Sequence, residues 1–122
     1  MLSVPGRVKI FLCLQSTNMR KSFDSLAALV SEVLKQDPLS GHLFVFRSRR
    51  ADRLKLLYWE EGGFALWYKR LEAGTFGFPA ATRDDQQSLT ISAADLAMLL
   101  DGVDLASVKR TKRYRRAACA TS

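Results

Sequence analysis

The chain has 122 residues, a formal charge of +7 and 48% hydrophobic residues, enough for one packed core and too few for two domains. That composition excludes a disordered chain, and no run approaches the roughly 18 apolar residues of a membrane span. The charge is uneven: residues 109–116 hold Lys109, Arg110, Lys112, Arg113, Arg115 and Arg116 and no acid. The rest of the chain has 13 basic against 12 acidic residues. A nearly neutral body (1–108) followed by a basic tail (109–122) points to a polyanionic partner, with a solubilising terminus as the plainer alternative.

Pro5-Gly6 marks a turn, after which Arg7–Gln15 alternates, with Val8, Ile10, Leu12 and Leu14 on one face of a strand. The apolar run Ile10–Leu14 is too short for a signal-peptide core, so a cytoplasmic, nucleoid-associated protein is expected. Cys13 and Cys119 have no CxxC or Cys/His spacing, which argues against a zinc site or a disulfide framework.

Ser16-Thr17-Asn18 supplies N-cap residues, and Met19, Phe23, Leu26, Ala27, Val30, Val33 and Leu34 form an amphipathic stripe to about Gln36, stopped by Asp37-Pro38. This predicts a helix whose first turn carries Arg20 and Lys21, where the helix dipole disfavours cations. Two cations there suit a bound phosphate; the alternative is an Arg20–Asp24 pair four residues apart.

His42–Phe46, Leu54–Trp59 and Phe64–Leu71 are three strand-length runs. Glu60-Glu-Gly-Gly63 closes a hairpin between the last two, and Arg47-Ser-Arg-Arg-Ala-Asp-Arg53, with four arginines in seven residues, joins the first two. Leu54–Leu57 is apolar on both faces and is expected to be covered on both. Tyr58, Trp59, Phe64, Trp67 and Tyr68 concentrate around the hairpin beside Lys55, Lys69 and Arg70. Aromatics among cations can stack on bases, but Trp59 and Trp67 occupy buried-type positions and are expected in the core.

Glu72–Pro79 carries Phe76 and Phe78 and is expected to cover the sheet edge. Ala80–Ser88 is a polar loop, and Leu89–Ile91 a short strand. Ser92 and Asp95 open a second helix with Ala93, Leu96, Ala97, Leu100 and Val103 on one face and Gly102 as its stop. The resulting class is α+β: a single domain, an antiparallel meander sheet with two helices packed mainly on one face.

Catalytic chemistry is not apparent. His42 is the sole histidine, Asp52-x-x-Lys55 is too slight for a metal-dependent nuclease, and Gly62-Gly63 lacks the Lys-Ser/Thr helix of a phosphate loop. The reading is a non-enzyme without cofactor or metal.

Thr17-Asn-Met-Arg-Lys-Ser-Phe-Asp-Ser-Leu26 resembles the TDMRKGFDGL signature of the small TnpB accessory proteins of bacterial insertion sequences of the IS-sixty-six type. The likeness continues through Asp37–Phe46, Arg49-Arg50, Lys55, Trp59, Leu66-Trp67, Lys69–Glu72, Gly74, Phe76, Leu99–Asp104 and the basic tail. Asn18 stands for the usual Asp, and Ser22 and Ser25 for two glycines. The resemblance implies a non-catalytic accessory protein encoded beside a larger transposase. Combined with the charge pattern, it gives an expectation of DNA binding at or near element ends. Arg20, Lys21, Arg47, Arg49, Arg50, Arg53, Lys55, Lys69 and Arg70 would contact phosphate, and the tail would add sequence-independent affinity. The rival reading is an adaptor that binds the transposase through an apolar patch at Trp67, Phe76 and Phe78.

Overall fold

The computed structural model describes residues 5–106. These form β1 (Ile10–Cys13), α1 (Phe23–Glu32), β2 (Leu43–Arg47), β3 (Arg53–Glu60), β4 (Gly63–Arg70), β5 (Ser88–Ile91) and α2 (Ala93–Leu100). One five-stranded sheet has the order β4-β3-β2-β1-β5. The α+β class stands, with a difference in the sheet: β1 and β2 run parallel, and every other pair is antiparallel. Parallel neighbours need a crossover connection, and α1 with its flanking loops provides it.

The expectation that both helices pack mainly on one face does not hold. Alternation along the strands divides the core into two layers. Leu26, Val30 and Leu34 of the α1 region pack with Phe11, Cys13, Phe44, Phe46 and Leu57. Leu96, Leu99 and Leu100 of α2 pack with Ile10, Leu12, Leu43, Val45, Leu54 and Leu56 on the opposite face. The central strands are therefore buried on both sides, which is why Leu54–Leu57 reads as a continuous apolar run. Phe76 and Phe78, on the segment after β4, are buried in the α2-side layer, and Trp67 is half-buried against it. Two of the three residues of the apolar patch expected to serve a protein partner are thus core.

Helix α1 begins later than its apolar stripe suggests. Ser22 is its N-cap, and the Ser22 N–H donates to Ser25 Oγ at 2.9 Å. Arg20 and Lys21 precede the helix rather than occupying its first turn, and among the described residues Arg20 makes no ion pair with Asp24. Helix α2 is capped as expected, the Ser92 hydroxyl accepting from Asp95 N–H at 3.0 Å, and it ends at Gly102 in the left-handed region. The β3–β4 hairpin turns on Glu61 and Gly62, both at positive φ, the geometry of a type I′ turn. Among the described residues no helix is long and apolar enough to cross a membrane. The basic tail at Lys109, Arg110, Lys112, Arg113, Arg115 and Arg116 lies outside the described residues.

Candidate nucleic-acid interface

Two loops meet where the parallel strands β1 and β2 end. In an open sheet, the crevice beyond the carboxyl ends of parallel strands is the common place for a ligand. The first loop, residues 14–22, is tied to the second by Thr17 N–H, which donates to the Arg47 carbonyl at 2.9 Å. Asn18 shapes it as an Asx turn: its Oδ1 accepts from Arg20 N–H at 2.9 Å and its carbonyl from Lys21 N–H at 3.1 Å. Asparagine and aspartate both offer that Oδ1 acceptor, so Asn18 keeps the geometry an aspartate would give.

The second loop, residues 48–52, is a tight connection between β2 and β3. Ser48 Oγ accepts from Arg53 N–H at 3.1 Å and donates to Asp52 Oδ1 at 3.2 Å. Ala51 sits at φ +62°, a left-handed conformation that costs a non-glycine residue about 1 kcal/mol. It is held there from behind, since the Ala51 and Asp52 carbonyls accept from Phe76 and Leu71 N–H. Arg49 and Arg50 lie exposed at the tip.

Between the loops is an open groove of about 510 Å³, lined by Ser16–Met19 on one side and by Ser48–Arg50, Asp52 and Arg53 on the other. Its lining holds three arginines and one carboxylate, Asp52, which accepts from Ser48. Among the described residues Arg49, Arg50, Arg53, Arg20 and Lys21 make no ion pair. Arg53 also borders a second, shallower depression with Tyr68, Arg70 and Glu72. Arg53 and Arg70 are direct cross-strand partners, and only Arg70 is paired, to exposed Glu72 at 3.0 Å.

Three of the residues expected at phosphate make hydrogen bonds within the protein. Lys55 is only 6% exposed, and its Nζ donates to the Met19 and Lys21 carbonyls at 2.8 and 2.7 Å while lying 4.8 Å from the Tyr68 ring centroid. It anchors the first loop from beneath. Lys69 Nζ donates to the Leu100 carbonyl at 2.6 Å, at the C-terminal end of α2 where the dipole favours a cation. Arg47 stacks 4.0 Å from the Phe78 ring centroid and donates to the Phe76 carbonyl at 2.9 Å. Burial works against its charge and lowers its pKa, with Asp104 pulling the other way. An extended strand alternates faces, so a run of basic residues along it cannot all reach one ligand. Conversely, Asn18 and Ser48 line the groove without having been singled out for it. Three polar residues ahead of a helix suggest a cap before they suggest a loop.

His42 Nδ1 accepts from Lys9 N–H at 3.0 Å, a strand-end role, and among the described residues no group of three His, Cys, Asp or Glu is placed to hold a metal ion.

The model of the family described as IS66 Orf2 like protein matches residues 8–110, most of the chain. The chain belongs to the IS66 Orf2-like family. The uncharacterized protein y4hO of Sinorhizobium fredii (strain NBRC 101917 / NGR234) is 40% identical over 113 residues, covering 93% of this chain and 96% of that protein. The uncharacterized protein y4jC of the same strain is 37% identical over 107 residues, 87% and 89% of the two chains. No solved structure matches significantly. Membership of the IS66 Orf2-like family places the protein in the transposition of an insertion sequence. Within this IS66 Orf2-like chain, two departures from the signature, Ser22 and Ser25, form the start of α1, where both are favourable cap residues.

Proposed function

We propose that the protein is a non-catalytic accessory factor that binds DNA during transposition, at or near the element ends, and assists the transposase. The observation that carries this reading is the groove in which Arg49, Arg50 and Arg53, free of ion pairs, converge opposite the Asn18 turn. Arg20 and Lys21 flank it, and Arg70 extends it across β4. Cations left unpaired at a concave, polar junction favour phosphate, and each phosphate neutralised releases counterions. The tail, residues 109–116, adds affinity without selectivity. Arg47, Lys55 and Lys69 support the surface and do not contact phosphate.

The test is a salt titration of DNA binding by the wild type and the Arg49→Ala/Arg50→Ala double variant, on element-end and scrambled duplexes. Loss of two phosphate contacts flattens the slope of log K against log salt by about 2. Any preference for element ends should vanish with it. A wild type that binds neither DNA at moderate salt overturns the proposal. The adaptor reading would then rest on the same basic surface, since Phe76 and Phe78 of its expected apolar patch are buried.

A further inference from the structure

Of the five aromatics around the β3–β4 hairpin, four are half-buried. Tyr58 and Trp67 pack on the α2-side layer, Phe64 on the α1-side layer, and Trp59 meets Phe64 edge-on at 5.0 Å. Tyr68 differs. It is 49% exposed, on a strand at the edge of the sheet, and it is held on two sides. Lys55 Nζ lies over its ring at 4.8 Å, and Arg53 Nη1 donates to its hydroxyl at 3.4 Å. One face of the ring thus rests on a fixed cation, which sets the ring plane, while about half of the residue is exposed.

The surroundings are cationic. Arg53 and Arg70 stand directly opposite each other on β3 and β4, on the face that bears Tyr68 and Lys55. Arg53 makes no ion pair among the described residues, and the exposed Arg70–Glu72 pair is weak enough for a phosphate to displace the carboxylate. Arg53 also lines the groove between the loops, so the depression at Tyr68 and the groove share a wall.

Resting on the DNA-binding reading above, we propose that this site takes single-stranded DNA: an unpaired base stacks on Tyr68 while Arg53 and Arg70 hold its flanking phosphates and the strand continues into the Arg49–Arg50 groove. A ring on a sheet surface can stack on a base only if the base face is free, and in a duplex interior both faces are covered by neighbours. Aromatic platforms beside a cationic track are the usual means of binding unpaired strands, and every base offers a face to them. The proposal therefore assigns the protein to melted or nicked DNA, with no requirement for sequence.

The test compares a labelled oligothymidylate with a duplex at fixed moderate salt, using the full-length wild type, Tyr68→Leu, Tyr68→Phe and Tyr68→Trp. Tyr68→Leu should lose roughly 5- to 150-fold in affinity for the single strand and leave duplex binding unchanged. Tyr68→Phe and Tyr68→Trp should retain single-strand affinity, which separates stacking from the hydroxyl contact. Far-ultraviolet circular dichroism of all variants should match, since the side chain is half exposed. An unchanged Tyr68→Leu titration, or equal losses on both DNAs, overturns the single-strand assignment. Single-strand binding that is independent of Tyr68, beside duplex binding that depends on Arg49 and Arg50, overturns it while sparing the broader reading, whereas no binding to either DNA overturns both.

Discussion

Lys55 carries a charge into a site that is 6% exposed, and main-chain carbonyls rather than a carboxylate receive it. Charge-assisted hydrogen bonds of this kind contribute about 1.5–3 kcal/mol each, offset by the cost of taking the ammonium out of water. Replacing Lys55 with Met should lower the urea midpoint by the equivalent of about 2 kcal/mol. The salt slope of DNA binding should not change, because no phosphate contact is lost; a slope reduced by about 1 would make Lys55 a direct contact. Cys13 gives a pH signature. Burial raises its pKa above 9.0, outweighing hydrogen bonding from the Gln15 backbone and the Thr17 side chain, which lower it. A raised folded value means the unfolded chain loses this proton first. The contribution is fully present below pH 9 and declines as pH rises from there through the folded value. Urea melts between pH 8 and 10.5 should show a steeper loss for the wild type than for Cys13→Ala.

At the scale of elements, strands were the most legible part of the chain. Period-two alternation and the Gly62-Gly63 turn locate β1, β3 and β4 to within a few residues. The start of α1 was not legible, because Met19 and Ser16–Asn18 satisfy a helical pattern while serving a loop. Met19 packs on the α1-side layer without being helical, and its carbonyl is claimed by Lys55. The groove was legible in its residue types, since Arg49-Arg50 and Arg20-Lys21 stand out in sequence. That the two pairs flank one crevice follows only from the Thr17–Arg47 bond between loops far apart in the chain. The hairpin offers an independent test of the turn geometry. Glu61 holds φ +47° where asparagine is favoured, so Glu61→Asn should raise stability by about 0.5–1 kcal/mol in thermal melts. DNA binding should be unaffected, since the turn lies at the opposite end of β3 from Arg53.

For the whole molecule, the parallel pairing of β1 with β2 could have been anticipated: 29 residues and a helix separate Cys13 from Leu43, a crossover and not a hairpin. The strand-face pattern also carried the information that helices lie on both sides, since β1 is buried at all four positions. Charge distribution yields the last expected outcome. Truncation after Val108 removes six cations and should flatten the salt slope by at most about 5, equally on element-end and scrambled DNA. An unequal effect would mean that the tail discriminates between sequences.

The position of β5 bears on how the chain is made. Strand β1, made before the other strands described, has one edge filled by β2 and the other only by Ser88–Ile91, and α2, which covers its Ile10 and Leu12 face, follows still later. The β2–β3–β4 meander can form locally during synthesis, while β1 waits with an open edge until Ser88–Ile91 has been made. A copy interrupted anywhere before Ile91 should therefore give an aggregating fragment rather than a weakened protein, making a single stop codon a switch between presence and absence.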